Sequence, residues 1–213
     1  MKRLSLSLLV ALFLISTAFT SETDQVLYPE LTQSFKLLKK NTGSISYDRK
    51  DVLTGIQQMG IVAKQKKQAV VFEFIGTDGF SAPYAEAVLQ AALANLGIND
   101  VKVSLSGTAP SEKVAAALTK LGFKTSNDGG LSAKYNDQAV PVTIAIAASN
   151  PQSTHVLMNE GAAASLTTPD KFAVKLNYPS LTGATDAQYE QQAKLISTEM
   201  MFVAMKIKDN WNY

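Results

Sequence analysis

The stretch Ala69-Val70-Val71-Phe72-Glu73-Phe74-Ile75-Gly76-Thr77-Asp78-Gly79-Phe80-Ser81 decides the fold class. Its first seven residues are β-branched or aromatic except for Ala69 and Glu73, which is the composition of a strand, and Gly76 ends the run. From Ser81 the chain turns Ala- and Leu-rich, with Tyr84, Val88, Ala92 and Leu96 on one helical face and Gly97 closing it. The alternation continues outward. Residues 101–105 read as a second strand, 110–121 as a helix stopped by Gly122, 142–146 as a third strand and 172–176 as a fourth. A final helix opens with Thr185 and Gln188 at capping-box spacing and buries Tyr189, Ala193, Ile196, Met200, Val203 and Ile207. Strands that alternate with helices predict a three-layer α/β/α domain over residues 68–213, with a central, mostly parallel four-stranded sheet.

Toward the amino terminus the pattern weakens. Leu31, Phe35 and Leu38 follow Pro29-Glu30 at helical spacing, and Val52, Ile56, Met59 and Ile61 give a looser stripe. Residues 21–67 are therefore expected to be a helical extension that packs on the core. The basic residues Lys64, Lys66 and Lys67 read as a solvated helix end rather than a ligand patch. Residues 1–20 carry Lys2 and Arg3, an apolar run and small residues at Ala18 and Thr20, the pattern of a secretory signal peptide. The expected location is periplasmic or extracellular. No later stretch is long and apolar enough to span a membrane, and without cysteine the chain cannot be a bacterial lipoprotein. Losing Lys2 and Arg3 with the signal takes the 20 basic residues to 18, equal to the 18 acidic ones. A neutral mature chain gives no electrostatic reason to expect nucleic acid or an anionic membrane as partner.

Composition narrows the chemistry further. With no cysteine there is no disulfide, thiolate nucleophile, zinc-thiolate site or iron–sulfur cluster. One histidine, His155, leaves a single imidazole, expected at the surface of a loop over residues 150–159, and no metal or other cofactor is expected. In an open α/β fold ligands gather at the carboxyl ends of the strands, here at Phe74, Ile75, Gly76, Thr77, Asp78, Gly79, Phe80 and Ser81. Gly76 and Gly79 permit unusual backbone angles, and the following helix aims its free N–H groups at the loop, which is how phosphate loops hold an anion. A sharp structural turn has the same composition. Thr77 and Ser81 suit an anion or a helix cap equally.

Several segments together are similar to one family. Val70-Val71-Phe72 leads into the loop; Ser81, Pro83 and Ala85-Glu86-Ala87 follow on a helix; then come Val103-Ser104-Leu105-Ser106-Gly107-Thr108 and a helix ending in Leu121-Gly122-Phe123. This order resembles the low-molecular-weight protein tyrosine phosphatases and the arsenate reductases that share their fold. It is closest to a branch of long bacterial members, with Leu27-Tyr28-Pro29-Glu30-Leu31 and Ile196-Ser197-Thr198-Glu199-Met200 as landmarks. The resemblance runs from about Val26 to Met205.

The resemblance implies a definite set of catalytic groups. Such a phosphatase needs a thiolate at the end of the first strand, an arginine closing the loop and an aspartic acid before a proline late in the chain. The thiolate position holds Phe74. The arginine position holds Phe80, or Gly79 if the register around Ala82 shifts by one, and the acid position holds Tyr178 before Pro179. The further cysteines of the arsenate reductases are absent too. Asp78 is expected to repel an oxyanion, and Phe74, Phe80 and Tyr84 either line an apolar pocket or fill the vacated cleft. The expected function is that of an exported, noncatalytic phosphatase-like domain that binds a protein or small ligand. An alternative is an enzyme of changed chemistry in the same cleft, a hydrolase using Asp78 or Glu73. Strand alternation turns Glu73 away from Phe72 and Phe74, which favours a partnered or partly exposed structural acid.

Overall fold

A computed structural model of the protein describes residues 50–65, 70–127, 131–135, 141–149, 151, 153–165 and 173–211. The expected signal peptide and the first part of the helical extension lie outside the described residues. In chain order the elements are α1 (Lys50–Gln65), β1 (Val70–Gly76), α2 (Ser81–Asn95), β2 (Val101–Gly107) and α3 (Glu112–Lys120). There follow β3 (Phe123–Asn127), β4 (Leu131–Tyr135), β5 (Pro141–Ile144) and β6 (Thr154–Asn159). A 3-10 turn (Ala162–Ser165), β7 (Val174–Tyr178) and α4 (Asp186–Trp211) complete the elements among the described residues.

The β-branched and aromatic run that opened the sequence reading becomes the inner strand of a parallel sheet ordered β2-β1-β6-β7. Alternation along β1 divides its side chains between the two faces. Val70, Phe72 and Phe74 join the main core with Tyr84, Val88 and Leu89 of α2 and Ile196, Met200 and Val203 of α4. Ile75 faces the other way and packs with Leu157 and Ala162. Burying a side chain of this size contributes ~1.5–3 kcal/mol, so the residues that decide the strand also anchor the fold. On that main face α2 packs against α4, and α1 packs against α4 beside it. Leu53 and Ile56 enter the same core, and the Gln57 amide donates to the Lys206 carbonyl at 3.2 Å.

Two local expectations are met in atomic detail. The Leu-Gly pairs end α2 and α3, with Gly97 at φ 78° and Gly122 at φ 100°. After α2 the Gly97 amide reaches the Ala94 carbonyl at 3.0 Å and the Ile98 amide the Leu93 carbonyl at 2.9 Å, a Schellman closure. At α4 the capping box forms. Gln188 Oε1 accepts from the Thr185 amide at 2.8 Å, and the Gln188 amide donates to Thr185 Oγ1 at 3.4 Å.

The third strand is a correction. Residues 142–146 do not enter the parallel sheet as an inner strand; most of them form β5 of a separate antiparallel sheet ordered β3-β4-β5. That segment touches the parallel sheet only at its rim, through the bridge Leu105–Ile146 and the Ala147 amide on the Leu105 carbonyl at 2.8 Å. The inner position belongs to β6, in a stretch expected to be a loop. All six residues of β6 are buried, so the strand shows no polar alternation.

Candidate functional site

The loop between β1 and α2 sits where an α/β fold places its ligands, at the carboxyl end of an inner strand. Its glycines are used. Gly79 adopts φ 65°, and a Cβ there would stand 2.7 Å from the Ala109 carbonyl oxygen. Gly107 at the tip of β2 adopts φ 100°, with a hypothetical Cβ 2.8 Å from the Gly76 carbonyl oxygen. Side chains at either position would push the two strand tips apart.

Asp78 organises the turn. Its Oδ1 accepts the amides of Phe80 at 3.0 Å and Ser81 at 2.9 Å, and its Oδ2 accepts the Ser81 hydroxyl at 2.6 Å. Two more donors come from elsewhere: Asn159 Nδ2 at the end of β6, 3.1 Å from Oδ2, and the Leu181 amide after β7 at 3.4 Å. Asn159 also accepts the Thr77 amide at 3.2 Å. Gln192 of α4 donates to Ser81 Oγ at 2.6 Å and to the Pro179 carbonyl at 3.3 Å. Four chain segments thus meet on one carboxylate and one hydroxyl. The sequence reading singled out Asp78 and Ser81 but missed Asn159 and Gln192, because two amides 33 positions apart form no motif.

The aromatic residues are packed rather than presented. Phe74 and Phe80 are both 0% exposed, so they fill the space beside the loop from within. Phe80 stacks on Tyr84, with ring centroids 5.3 Å apart and planes at 9°, and meets Tyr189 edge-on at 4.9 Å. The Tyr84 hydroxyl bonds Ser197 Oγ at 2.9 Å, tying α2 to α4. Tyr178, where the resemblance would put an acid, is buried at the end of β7, and its carbonyl lies 3.4 Å from Asn159 Nδ2. Of the expected site residues, Ile75 points into the small cluster on the other face and Thr77 is exposed.

His155 is a second correction. It is not a surface loop histidine but a buried residue of β6, directly opposite Glu73 in the parallel register. Its Nε2 lies 3.5 Å from Glu73 Oε2, and the two side chains are only 4% and 2% exposed. Alternation had placed Glu73 away from Phe72 and Phe74, and there the acid has its partner. The pairing is cross-strand and leaves no trace in local sequence. Two further acids are buried in the helices: burial pushes Glu86 of α2 up to about 9 and Glu199 of α4 up to about 8.

The chain has no cysteine, and its two arginines, Arg3 and Arg49, both precede β1. Among the described residues no group of three or more His, Asp or Glu side chains is placed to hold a metal ion. No described helix is long and apolar enough to cross a membrane. Beside the loop, Pro179, Leu181, Gln192 and Leu195 line a hollow of about 210 Å³.

Fold and loop together define a parallel α/β domain whose first strand-to-helix turn is closed on itself. Solved structures similar to the chain include a low molecular weight phosphotyrosine phosphatase from Vibrio cholerae O395, at 17% identity and TM-score 0.46, covering 67% of this chain and 97% of that one. A YwlE mutant from Bacillus subtilis is similar at 12% identity and TM-score 0.46, covering 65% of this chain and 99% of that one. A low molecular weight protein tyrosine phosphatase from T. tengcongensis is similar at 15% identity and TM-score 0.43, covering 62% and 95%. No protein-family model and no curated protein matches the chain.

Proposed function

We propose that this protein is an exported, noncatalytic phosphatase-like domain that works as a binding or interaction module. The observation that carries this reading is the burial of Phe74 and Phe80, both fully enclosed, at positions to which the resemblance assigns a nucleophile and a guanidinium. An aromatic ring can neither attack phosphorus nor clamp its equatorial oxygens. The two carboxylates available for altered chemistry are both engaged, Asp78 with its donors and Glu73 with His155. Export is supported by the charge and apolar pattern of residues 1–20.

Turnover tests the first half. Purified protein should release no product from an aryl phosphate, and phosphotyrosine, vanadate and arsenate should leave its melting temperature unchanged, since a ligand that binds only the folded form raises it. Hydrolysis that disappears in Asp78→Asn but survives Phe74→Ala would overturn the reading in favour of a hydrolase of changed chemistry. The export half is tested by mass spectrometry of the protein recovered outside the cytoplasm. A mature chain beginning near Ser21 is expected, and an uncut Met1 terminus on protein confined to the cytoplasm would count against it.

A further inference from the structure

We propose that Asp78 is a built-in anion: its carboxylate occupies the cradle at the start of α2 and shuts that cradle to small oxyanions from solution. The inference deepens the preceding reading and rests on it for the view that the turn no longer serves an external substrate. An aspartate that merely capped a helix would use the amides two and three residues on, here Phe80 and Ser81. Asp78 takes three donors more. One is the Ser81 hydroxyl, and two belong to other parts of the fold, Asn159 Nδ2 from β6 and the Leu181 amide from the segment after β7.

The direction of the Ser81 hydroxyl is set from outside the turn. Ser81 Oγ accepts Gln192 Nε2 at 2.6 Å and Asn159 Nδ2 at 3.3 Å, both N–H donors, so its single proton is left for Asp78 Oδ2 at 2.6 Å. Ser81, Asn159 and Gln192 are 0%, 2% and 6% exposed and Asp78 is half-buried, so the donor side of this arrangement belongs to the interior. Buried donors of this kind need acceptors, and the carboxylate supplies them from within the chain. A phosphate or sulfate entering the cradle would have to displace a tethered group that already holds the same five donors. The same contact pins the segment after β7: Asp78 holds the Leu181 amide, Asn159 reaches the Tyr178 carbonyl and Gln192 the Pro179 carbonyl.

Chemical rescue tests the proposal. The full chain and Asp78→Ala are melted in formate, acetate, sulfate or phosphate up to about 100 mM, with sodium chloride balancing ionic strength so that general screening is held constant. The native chain should be insensitive to which anion is present. Asp78→Ala should melt lower and recover by about 2–4 °C as the added anion takes the vacated place. An Asp78→Ala protein that folds but responds no more than the native chain would overturn the proposal. So would phosphate-dependent movement of the Phe80 and Ser81 amide signals in the native chain. If Asp78→Ala does not fold, Asp78→Asn replaces it under the same anions, with a smaller recovery expected, and the native amide titration remains decisive. Failure here leaves the noncatalytic reading standing, because that reading is decided by turnover of the native protein.

Discussion

Just before α2 the carboxylate of Asp78 gathers five hydrogen-bond donors, while within that helix Glu86 is 2% exposed and its Oε2 meets none among the described residues. The helix thus handles two acids by opposite means. Where backbone amides run out of partners, at the helix start, an acid is useful because it accepts. In the middle every amide is spent within the helix, and a buried acid is tolerated by staying protonated, as burial pushes Glu86 up to about 9. Burial likewise pushes Glu199 in α4 up, to about 8. Neighbouring donors decide whether a buried carboxyl holds structure together or strains it.

The largest change should come from the apolar side of the turn. Phe80→Ala removes a fully buried ring stacked on Tyr84 and set edge-on to Tyr189, and is expected to cost about 3–5 kcal/mol in a urea melt. A loss under about 1 kcal/mol would mean that the polar contacts alone hold the turn. Next comes pH. The unfolded chain releases the Glu86 proton near the ordinary 4.5 and the folded chain near 9, so the contribution is full below 4.5 and is lost as pH rises to 9. The slope is at most about 1.4 kcal/mol per pH unit for this carboxyl, or about 2–3 kcal/mol between about pH 7 and about pH 9. Glu86→Gln should flatten that decline in urea melts across the range, and an unchanged slope would show that burial is not what holds the proton.

Asp78→Ala should act in the opposite sense to Glu86→Gln, costing about 2 kcal/mol at neutral pH because it strands buried donors. Equal stability of the variant and native chains would remove the distinction between the two acids. The smallest effect is reserved for an exposed helix start. Thr185→Ala breaks the capping box of α4 and should cost about 1 kcal/mol, seen as a small drop in denaturation midpoint with no change in its steepness.

Much of this architecture was legible from residue order. Val70-Val71-Phe72, the Leu-Gly stops and the Thr185–Gln188 box each have a local physical cause, and each forms as read. β6 was hidden because a strand buried on both faces has no period, and Asn150-Pro151 just before it looks like a loop. The displaced apolar run at 142–146 took its place in the reading because it satisfies the same composition while pairing antiparallel elsewhere. At the site, Phe74 and Phe80 could be read as apolar residues that either line a pocket or fill it. Their complete burial decides that choice. Asp78 was read by its charge, as a repeller of anions. Its role as an acceptor depends on Asn159, Leu181 and Gln192, which only the folded chain brings together.

Helix α4 links the turn before α2 to α1 in a way that bears on how the domain would come apart. Near its start Gln192 grips the Ser81 hydroxyl, and fourteen residues on, about 21 Å along the axis at 1.5 Å per residue, the carbonyl of Lys206 receives Gln57 from α1. A protease that severed α1 from the body would strip cover from the far end of this rod, where Val203 and Ile207 are oily and wholly enclosed. The clipped protein would then tend to clump through that bared stripe, so loss of α1 should register first as lost solubility.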